Sequence, residues 1–239
     1  MISFEEIEKL AKKYQTTRGN ILREYFQHLF LSYFYRQKEA GKIYFKGGTA
    51  LRLIYKSPRF SEDLDFETTE KNIKPIEQAV AATLAEIEKE GIEVEILEAK
   101  KTTDGYLAIV QFKTTLGILS IQLEISRRPA KNFGEAAVVA GDFIPPYAIQ
   151  QLREEDLVKG KIDALLDRKK PRDFYDLYFI LRAGLLPVEK RGLLKEISKL
   201  LSQSKVYFER ELRQFLPKDQ QIIIKNFKKV LEKEVGRFI

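Results

Sequence analysis

Between Phe45 and Phe66 the chain reads FKGGTALRLIYKSPRFSEDLDF, so Gly48 lies fifteen residues ahead of Asp63 and a Gly-Gly-Thr turn precedes an Asp-x-Asp pair. Ile43, Tyr44 and Phe45 read as a short buried strand. Gly47 and Gly48 let the chain turn sharply from it into a helix over Thr49 to Tyr55, whose first N–H groups would face a phosphate. Asp63 and Asp65 alternate with Leu64 and Phe66, so an extended strand places both carboxylates on one face, about 7 Å apart. Two such oxygen donors suit Mg²⁺, which takes carboxylates together with substrate phosphates. A Gly-Gly pair alone is usually a plain turn, and a lone Asp-x-Asp is usually a solvated strand edge or loop. In combination they point to a site that holds a triphosphate and its metal.

The elements that would position these residues follow from periodicity. Leu22, Tyr25, Phe26, Leu29, Phe30, Tyr33 and Phe34 recur at helical spacing, which leaves His28 on the helix surface or partly packed. A helix near Lys74 to Glu90 ends at Gly91 as a C-terminal cap. Three strands follow, over Ile92 to Leu97, Tyr106 to Lys113 and Ile118 to Ser126, separated by turns at Asp104-Gly105 and Leu116-Gly117. Glu124 stands opposite Ile121, Leu123 and Ile125 on the third strand. Strand pattern alone reads it equally as a third metal carboxylate or as a solvent-side residue. Pro145 and Pro146 break the pattern, and everything beyond reads helical. The expected division is a domain over 1–145 with N-terminal helices and a helical domain over 146–239.

Composition narrows the chemistry. The 239 residues include no cysteine and a single histidine, which excludes thiolate zinc sites, histidine-rich metal centres and a Ser-His-Asp triad. Catalysis must then run on carboxylates, lysine and metal. There is no run of about 18 apolar residues and no signal-peptide core at MISFEEIEKL, so a cytoplasmic protein with no membrane partner is expected. The net charge is +7, from 42 Lys and Arg against 35 Asp and Glu. Lys159, Lys161, Arg168, Lys169, Lys170 and Arg172 gather in one stretch, and Lys225, Lys228, Lys229 and Lys233 in another, which suits a nucleic acid.

On the helix Glu155 to Arg168 the apolar arc is Leu157, Val158, Ile162, Leu165 and Leu166, and Lys161 falls inside it. A lysine on a packed face must reach an anion or snorkel to water. The sharper reading points its ammonium across a domain cleft at substrate phosphates. Pro171 suits the first turn of the next helix and puts Asp173 where the helix dipole stabilises a carboxylate. Asp176, beside Phe174, Leu177, Tyr178 and Ile180, has no such structural reason and is the better candidate for a functional acid.

KGGTALRL followed by RFSEDLDF, Glu124 in IQLEIS, and KIDALLDRKKPRDFYDLY together resemble the AbiEii/AbiGii toxin family of nucleotidyltransferases, within the DNA polymerase β-like superfamily. The resemblance runs from about Tyr44 to Leu181 and departs from the common pattern at Gly160, where a glutamate is usual. It implies an α+β fold: a nucleotidyltransferase-type mixed sheet, an N-terminal helical cover and a C-terminal helical domain that closes over the nucleotide. It also implies roles. Asp63, Asp65 and Glu124 would hold Mg²⁺, and Gly47, Gly48, Thr49, Arg59 and Ser61 would bind the nucleotide together with Lys161. Lys161 would neutralise the leaving pyrophosphate, and Asp176 would serve as a general base on the acceptor hydroxyl. Arg52 is a further phosphate or acceptor candidate. The expected partners are an NTP, tRNA or another RNA, and a cognate antitoxin. Nucleotide transfer to a small-molecule or protein hydroxyl is the alternative enzyme reading, and a basic RNA-binding module with structural acids is the non-enzymatic one.

Overall fold

The strands follow the alternation of apolar and polar side chains. The computed structural model describes residues 1–128, 134–204 and 206–239. The chain divides into two units: Met1–Lys56 with Phe60–Leu152, and Ser57–Arg59 with Arg153–Ile239.

In the first unit, α1 (Phe4–Lys13) and α2 (Arg18–Phe34) precede β1 (Ile43–Lys46), α3 (Gly47–Leu53), β2 (Leu64–Thr68) and α4 (Lys74–Lys89). Then come β3 (Glu93–Thr102), β4 (Gly105–Thr114), β5 (Gly117–Arg127), β6 (Glu135–Val139) and β7 (Tyr147–Gln151). They form one mixed sheet in the order β3-β4-β5-β2-β1-β7-β6. β2 lies antiparallel to β1 and parallel to β5.

Ser3 opens α1 with a capping box: its hydroxyl accepts from the Glu6 N–H while the Glu6 carboxylate accepts from the Ser3 N–H. α2 differs in kind, because it is buried on nearly every side. Its aromatic residues pack on one face of the sheet. The Phe26 ring stacks on Phe112 of β4 at 4.7 Å, and Phe34 lies 5.3 Å from Phe66, which in turn lies 5.5 Å from Phe45. Phe66 is fully buried, and truncating such a ring to alanine costs about 3–5 kcal/mol. Its burial fixes the register of β2, and a slip of one residue would turn the acids into the core.

Two expectations change here. The stretch after Pro146 is not uniformly helical: Tyr147–Gln151 is β7, paired with β6 and β1, and the Leu152 N–H donates to the Phe45 carbonyl at 3.0 Å. The first unit therefore runs through Leu152, past the expected break at residue 145. Burial of Ile149 and Gln151 in β7 shows the alternation that five residues are too short to display against a helical background. Also, His28, expected on the helix surface or partly packed, is buried at 3% exposure, with Nδ1 2.9 Å from the Tyr147 hydroxyl and its ring 5.1 Å from Phe143.

The second unit is helical. It contains α5 (Glu154–Arg168), α6 (Pro171–Arg182), a 3₁₀ turn at Val188–Leu193, α7 (Leu194–Gln203), α8 (Phe208–Leu212), α9 (Gln221–Ile224) and α10 (Phe227–Val235). Glu154, Glu155 and Asp156 occupy the first turn of α5, where the helix dipole favours them. Lys169 takes the left-handed conformation at its end, φ 55°, and Pro171 starts α6. Phe174, Tyr175, Phe208 and Phe227 make the core, with Phe208 and Phe227 centred 5.0 Å apart.

The burial of His28 has a pH consequence. Its pKa is pushed down from 6.5 to about 3, first by burial and then by the charges of Lys56 and Arg52. The folded protein keeps the ring neutral while the unfolded chain protonates it below 6.5. Its contribution to stability is therefore complete above that pH and is lost progressively as pH falls towards 3. Between pH 6.5 and about pH 5 this group should remove about 2 kcal/mol of unfolding free energy. His28→Phe should flatten that part of the urea-denaturation pH profile, and an unchanged slope would clear His28 of the effect.

Candidate active site

β1 leads directly into α3 at Gly47, whose φ of +87° suits glycine. The space constraint is tighter than the angle. A Cβ at Gly47 would fall 2.1 Å from Asp65 Oδ2, so the turn and the second acid of the Asp-x-Asp pair are packed against each other. Lys46 and Asp65 are register partners between β1 and β2, and Asp65 and Glu124 are register partners between β2 and β5. Cross-strand partners share a face. Asp65 thus stands between a lysine and a glutamate on the face opposite Phe66.

Asp63 differs from expectation in detail. It lies just ahead of β2, which begins at Leu64, so only Asp65 belongs to the strand ladder. Asp63 and Asp65 are half-buried and Glu124 is exposed. Among the described residues no three Asp, Glu, His or Cys side chains are grouped so as to hold a metal ion by themselves. Asp63, Asp65 and Glu124 therefore do not form a closed cage. They do offer hard carboxylate donors on neighbouring positions, the chemistry that suits Mg²⁺ when substrate phosphates and water complete its shell.

The glycine turn also supports the acid-bearing loop. Gly48 and Thr49 are buried, and the Thr49 hydroxyl donates to the Asp63 carbonyl at 2.5 Å. Thr49 thus holds the acid-bearing loop through its side chain. Ser61 is half-buried, and its carbonyl accepts from Gln27. Arg52 is held by Glu24, with Nε to Oε2 at 2.8 Å, and its guanidinium lies 3.8 Å from the centre of the Phe60 ring. Burial outweighs that partner and keeps the Glu24 carboxyl above its ordinary value. Arg52, a phosphate or acceptor candidate in the sequence, is engaged in this unit by Glu24 and Phe60.

Sequence reasoning missed Lys46 and Glu67. Lys46 Nζ lies 3.1 Å from Glu67 Oε2, and Glu67 falls two residues after Asp65 on the same face. Extending the alternation of Ile43 and Phe45 by one residue would have placed Lys46 beside the acids.

In the helical unit, Arg59, Lys161 and Asp176 converge. Arg59 Nε donates to Asp176 Oδ1 at 2.8 Å, its Nη2 donates to Oδ2 at 3.0 Å, and Lys161 Nζ reaches Oδ2 at 2.8 Å. Arg59 and Asp176 are 3% and 1% exposed. Burial pushes the Asp176 carboxyl up, but Arg59 and then Lys161 outweigh it and hold it below its ordinary value. The same pairing overcomes burial to raise Arg59.

Lys161 does reach an anion from its packed face, but that anion is the protein's own. Asp176 acquires a structural reason that its neighbours in sequence did not show. A buried carboxylate saturated by two cations and depressed in pKa is a poor proton acceptor, so the general-base expectation for Asp176 is corrected. Arg59, the expected nucleotide contact, is likewise committed to this pair. Asp173 lies in the first turn of α6 as expected, and there it accepts from the Lys170 N–H at 3.1 Å and from Arg168 Nη2 at 2.7 Å.

With this geometry established, comparison identifies the family. Residues 29–236 match the model of the nucleotidyl transferase AbiEii toxin of type IV toxin–antitoxin systems. The chain belongs to the AbiEii nucleotidyltransferase toxin family. It is 28% identical over 162 residues to the uncharacterized protein aq_aa25 of Aquifex aeolicus (strain VF5). That match covers 67% of this chain and spans 65% of the relative's length. Among solved structures it is similar to JHP933 from Helicobacter pylori, at a TM-score of 0.60 and 20% identity over 93% of this chain and 95% of that one. A second H. pylori structure, of a candidate nucleotidyltransferase, matches at 0.60 and 20% identity over 93% and 99%. These structures share the fold.

The buried ion cluster yields a stability test. Asp176→Asn leaves Arg59 and Lys161 in a buried site without a counter-charge, a change that costs about 3–5 kcal/mol. Urea unfolding at neutral pH should show a loss of that size, whereas a loss within about 0.5 kcal/mol would mean that the cluster adds nothing to the fold.

Proposed function

We propose that the protein is a Mg²⁺-dependent nucleotidyltransferase toxin that moves a nucleoside monophosphate from an NTP to a hydroxyl of an RNA acceptor such as the tRNA 3′ end. The observation that carries this reading is the packing of the Gly47 turn against Asp65, with Asp63 one residue ahead of the strand and Glu124 as register partner. Membership of a toxin–antitoxin family supports an antitoxin as partner.

In the reaction the acceptor hydroxyl oxygen forms a bond to the α-phosphorus, and the bond from that phosphorus to the α,β-bridging oxygen breaks. Pyrophosphate leaves with the electron pair, and the hydroxyl proton passes to solvent. Mg²⁺, held by Asp63 and Asp65 with Glu124 beside them, would supply positive charge to the phosphoryl oxygens. The chain's own contribution is to fix those carboxylates on a rigid strand and on a loop pinned by Thr49. Asp63→Ala or Asp65→Ala should leave thermal unfolding near wild type and reduce transfer of labelled NTP to total RNA by about 100-fold or more, as loss of a charge-stabilising group does. Wild-type rates in both variants would dismiss the acid pair as the reactive site.

The basic stretch supports RNA over a small acceptor, although less of it is available than the sequence implied. Arg168 pairs with Asp173, Arg172 with Glu211 and Lys161 with Asp176. Lys159, Lys169 and Lys170 are exposed and, among the described residues, make no ion pair. Three phosphate contacts to single-stranded RNA correspond to a slope of about −2 in log affinity against log salt. Replacing Lys169 and Lys170 by Gln should flatten that slope by about 1.4 and leave NTP binding unchanged. A flat response in the parent protein would favour a small-molecule or protein hydroxyl as acceptor.

A further inference from the structure

A polar residue of the buried helix controls the loop that presents Asp63. Gln27 lies on α2 and is 1% exposed. Its Nε2 donates to two successive carbonyls, Ser61 at 3.0 Å and Glu62 at 3.0 Å. In an extended chain, consecutive carbonyls point to opposite sides. Their convergence on one amide fixes a non-extended backbone at the two residues immediately before Asp63. From the other side the Thr49 hydroxyl donates to the Asp63 carbonyl.

Upstream, Phe60 is buried under the Arg52 guanidinium, which Glu24 of the same helix holds. Successive backbone groups from residue 61 to residue 63 are therefore each fastened to a buried side chain, and β2 begins at Leu64. The backbone from which the Asp63 side chain projects is thereby fixed. Loss of the amide would also leave two part-buried carbonyls without this donor.

We propose that Gln27 is a positioning residue: it locks the Ser61–Glu62 backbone so that the Asp63 carboxylate is preorganised to bind the metal of an incoming metal–nucleotide complex. This rests on the reading of Asp63 and Asp65 as metal donors, and the test separates the two. Mn²⁺ complexes of non-hydrolysable α,β-methylene analogues of the four NTPs serve as probes. Their binding to the full chain is followed by Mn²⁺ electron paramagnetic resonance, using the tightest of the four.

Asp63→Asn is the reference for loss of a donor, and Ser32→Ala is the control for loss of a buried hydrogen bond elsewhere on α2, where the Ser32 hydroxyl donates to the Leu29 carbonyl. Gln27→Met, close in volume and without a donor, should keep a cooperative thermal transition and weaken probe binding by about tenfold, as loss of one supporting residue behind a metal ligand does. Ser32→Ala should bind as the parent does. If Asp63→Asn abolishes binding while Gln27→Met binds like the parent, or no more weakly than Ser32→Ala, the positioning role is overturned. If Asp63→Asn itself binds like the parent, the metal reading fails, and the proposal falls with it. Should Gln27→Met not fold, Gln27→Asn replaces it under the same criteria, because its shorter amide stays polar but cannot span both carbonyls.

Discussion

The face of β2 that carries Phe66 is sealed against Phe34 of α2 and Phe45 of β1, and the orientation of Asp65 follows from that contact. Side chains of a strand alternate with period two, so burying Leu64 and Phe66 leaves Asp65 and Glu67 no direction but the other face. The parallel pairing with β5 does the same for Leu123 and Ile125, and so brings Glu124 level with Asp65. Expensive charges thus reach one another through apolar packing on the reverse side of the sheet. The glycine turn is bound into the same constraint, because the carboxylate fills the space that a side chain at Gly47 would need.

The helical unit solves the opposite problem. Asp176 is inside, and a buried carboxylate is tolerable only when its lone pairs and charge are met. Arg59 meets it with two parallel hydrogen bonds and Lys161 with a third. The arginine fork fixes the carboxylate plane and leaves the second oxygen directed at the lysine. Arg59 comes from a three-residue segment, Ser57–Arg59, that packs with this unit although the chain on both sides of it belongs to the other.

What the sequence disclosed and what it concealed divide along physical lines. Short-range patterns were legible: the strand before Gly47, the three long strands with their turns, the start of α6 at Pro171 and the anomalous position of Lys161 within an apolar arc. The mixed sheet with N-terminal helices and a helical C-terminal unit was legible through family resemblance. Long-range partners were not. The alternation that makes Tyr147–Gln151 a strand lasts five residues and gains its meaning only from pairing with β1 and β6. Lys161 signalled a need for an anion but could not name it, since Asp176 lies on the next helix and its own neighbours are aromatic. Arg52 and Arg59 looked alike as basic residues near the motif, and only their buried partners, Glu24 and Asp176, separate them from solvent-facing charge.

α2 shows why a purely apolar reading of a helix loses information. A helix buried on most sides would be most simply stabilised by apolar residues throughout, yet Asn20, Glu24, Gln27 and His28 are all buried on it. Asn20 lies four residues before Glu24, and Gln27 and His28 lie three and four residues after it, which puts them on one face. Each is matched: Asn20 to Thr16, Glu24 to Arg52, Gln27 to the carbonyls of Ser61 and Glu62, and His28 to Tyr147. Buried polar groups that find partners rigidify what they touch, and Gln27 touches irregular backbone that no strand ladder or helix holds. The apolar face of α2 orients the sheet, while its polar stripe fixes the loop before β2 and the side chain at the start of β7. One helix thereby supports both the direction of the acidic strand and the conformation of the segment that enters it.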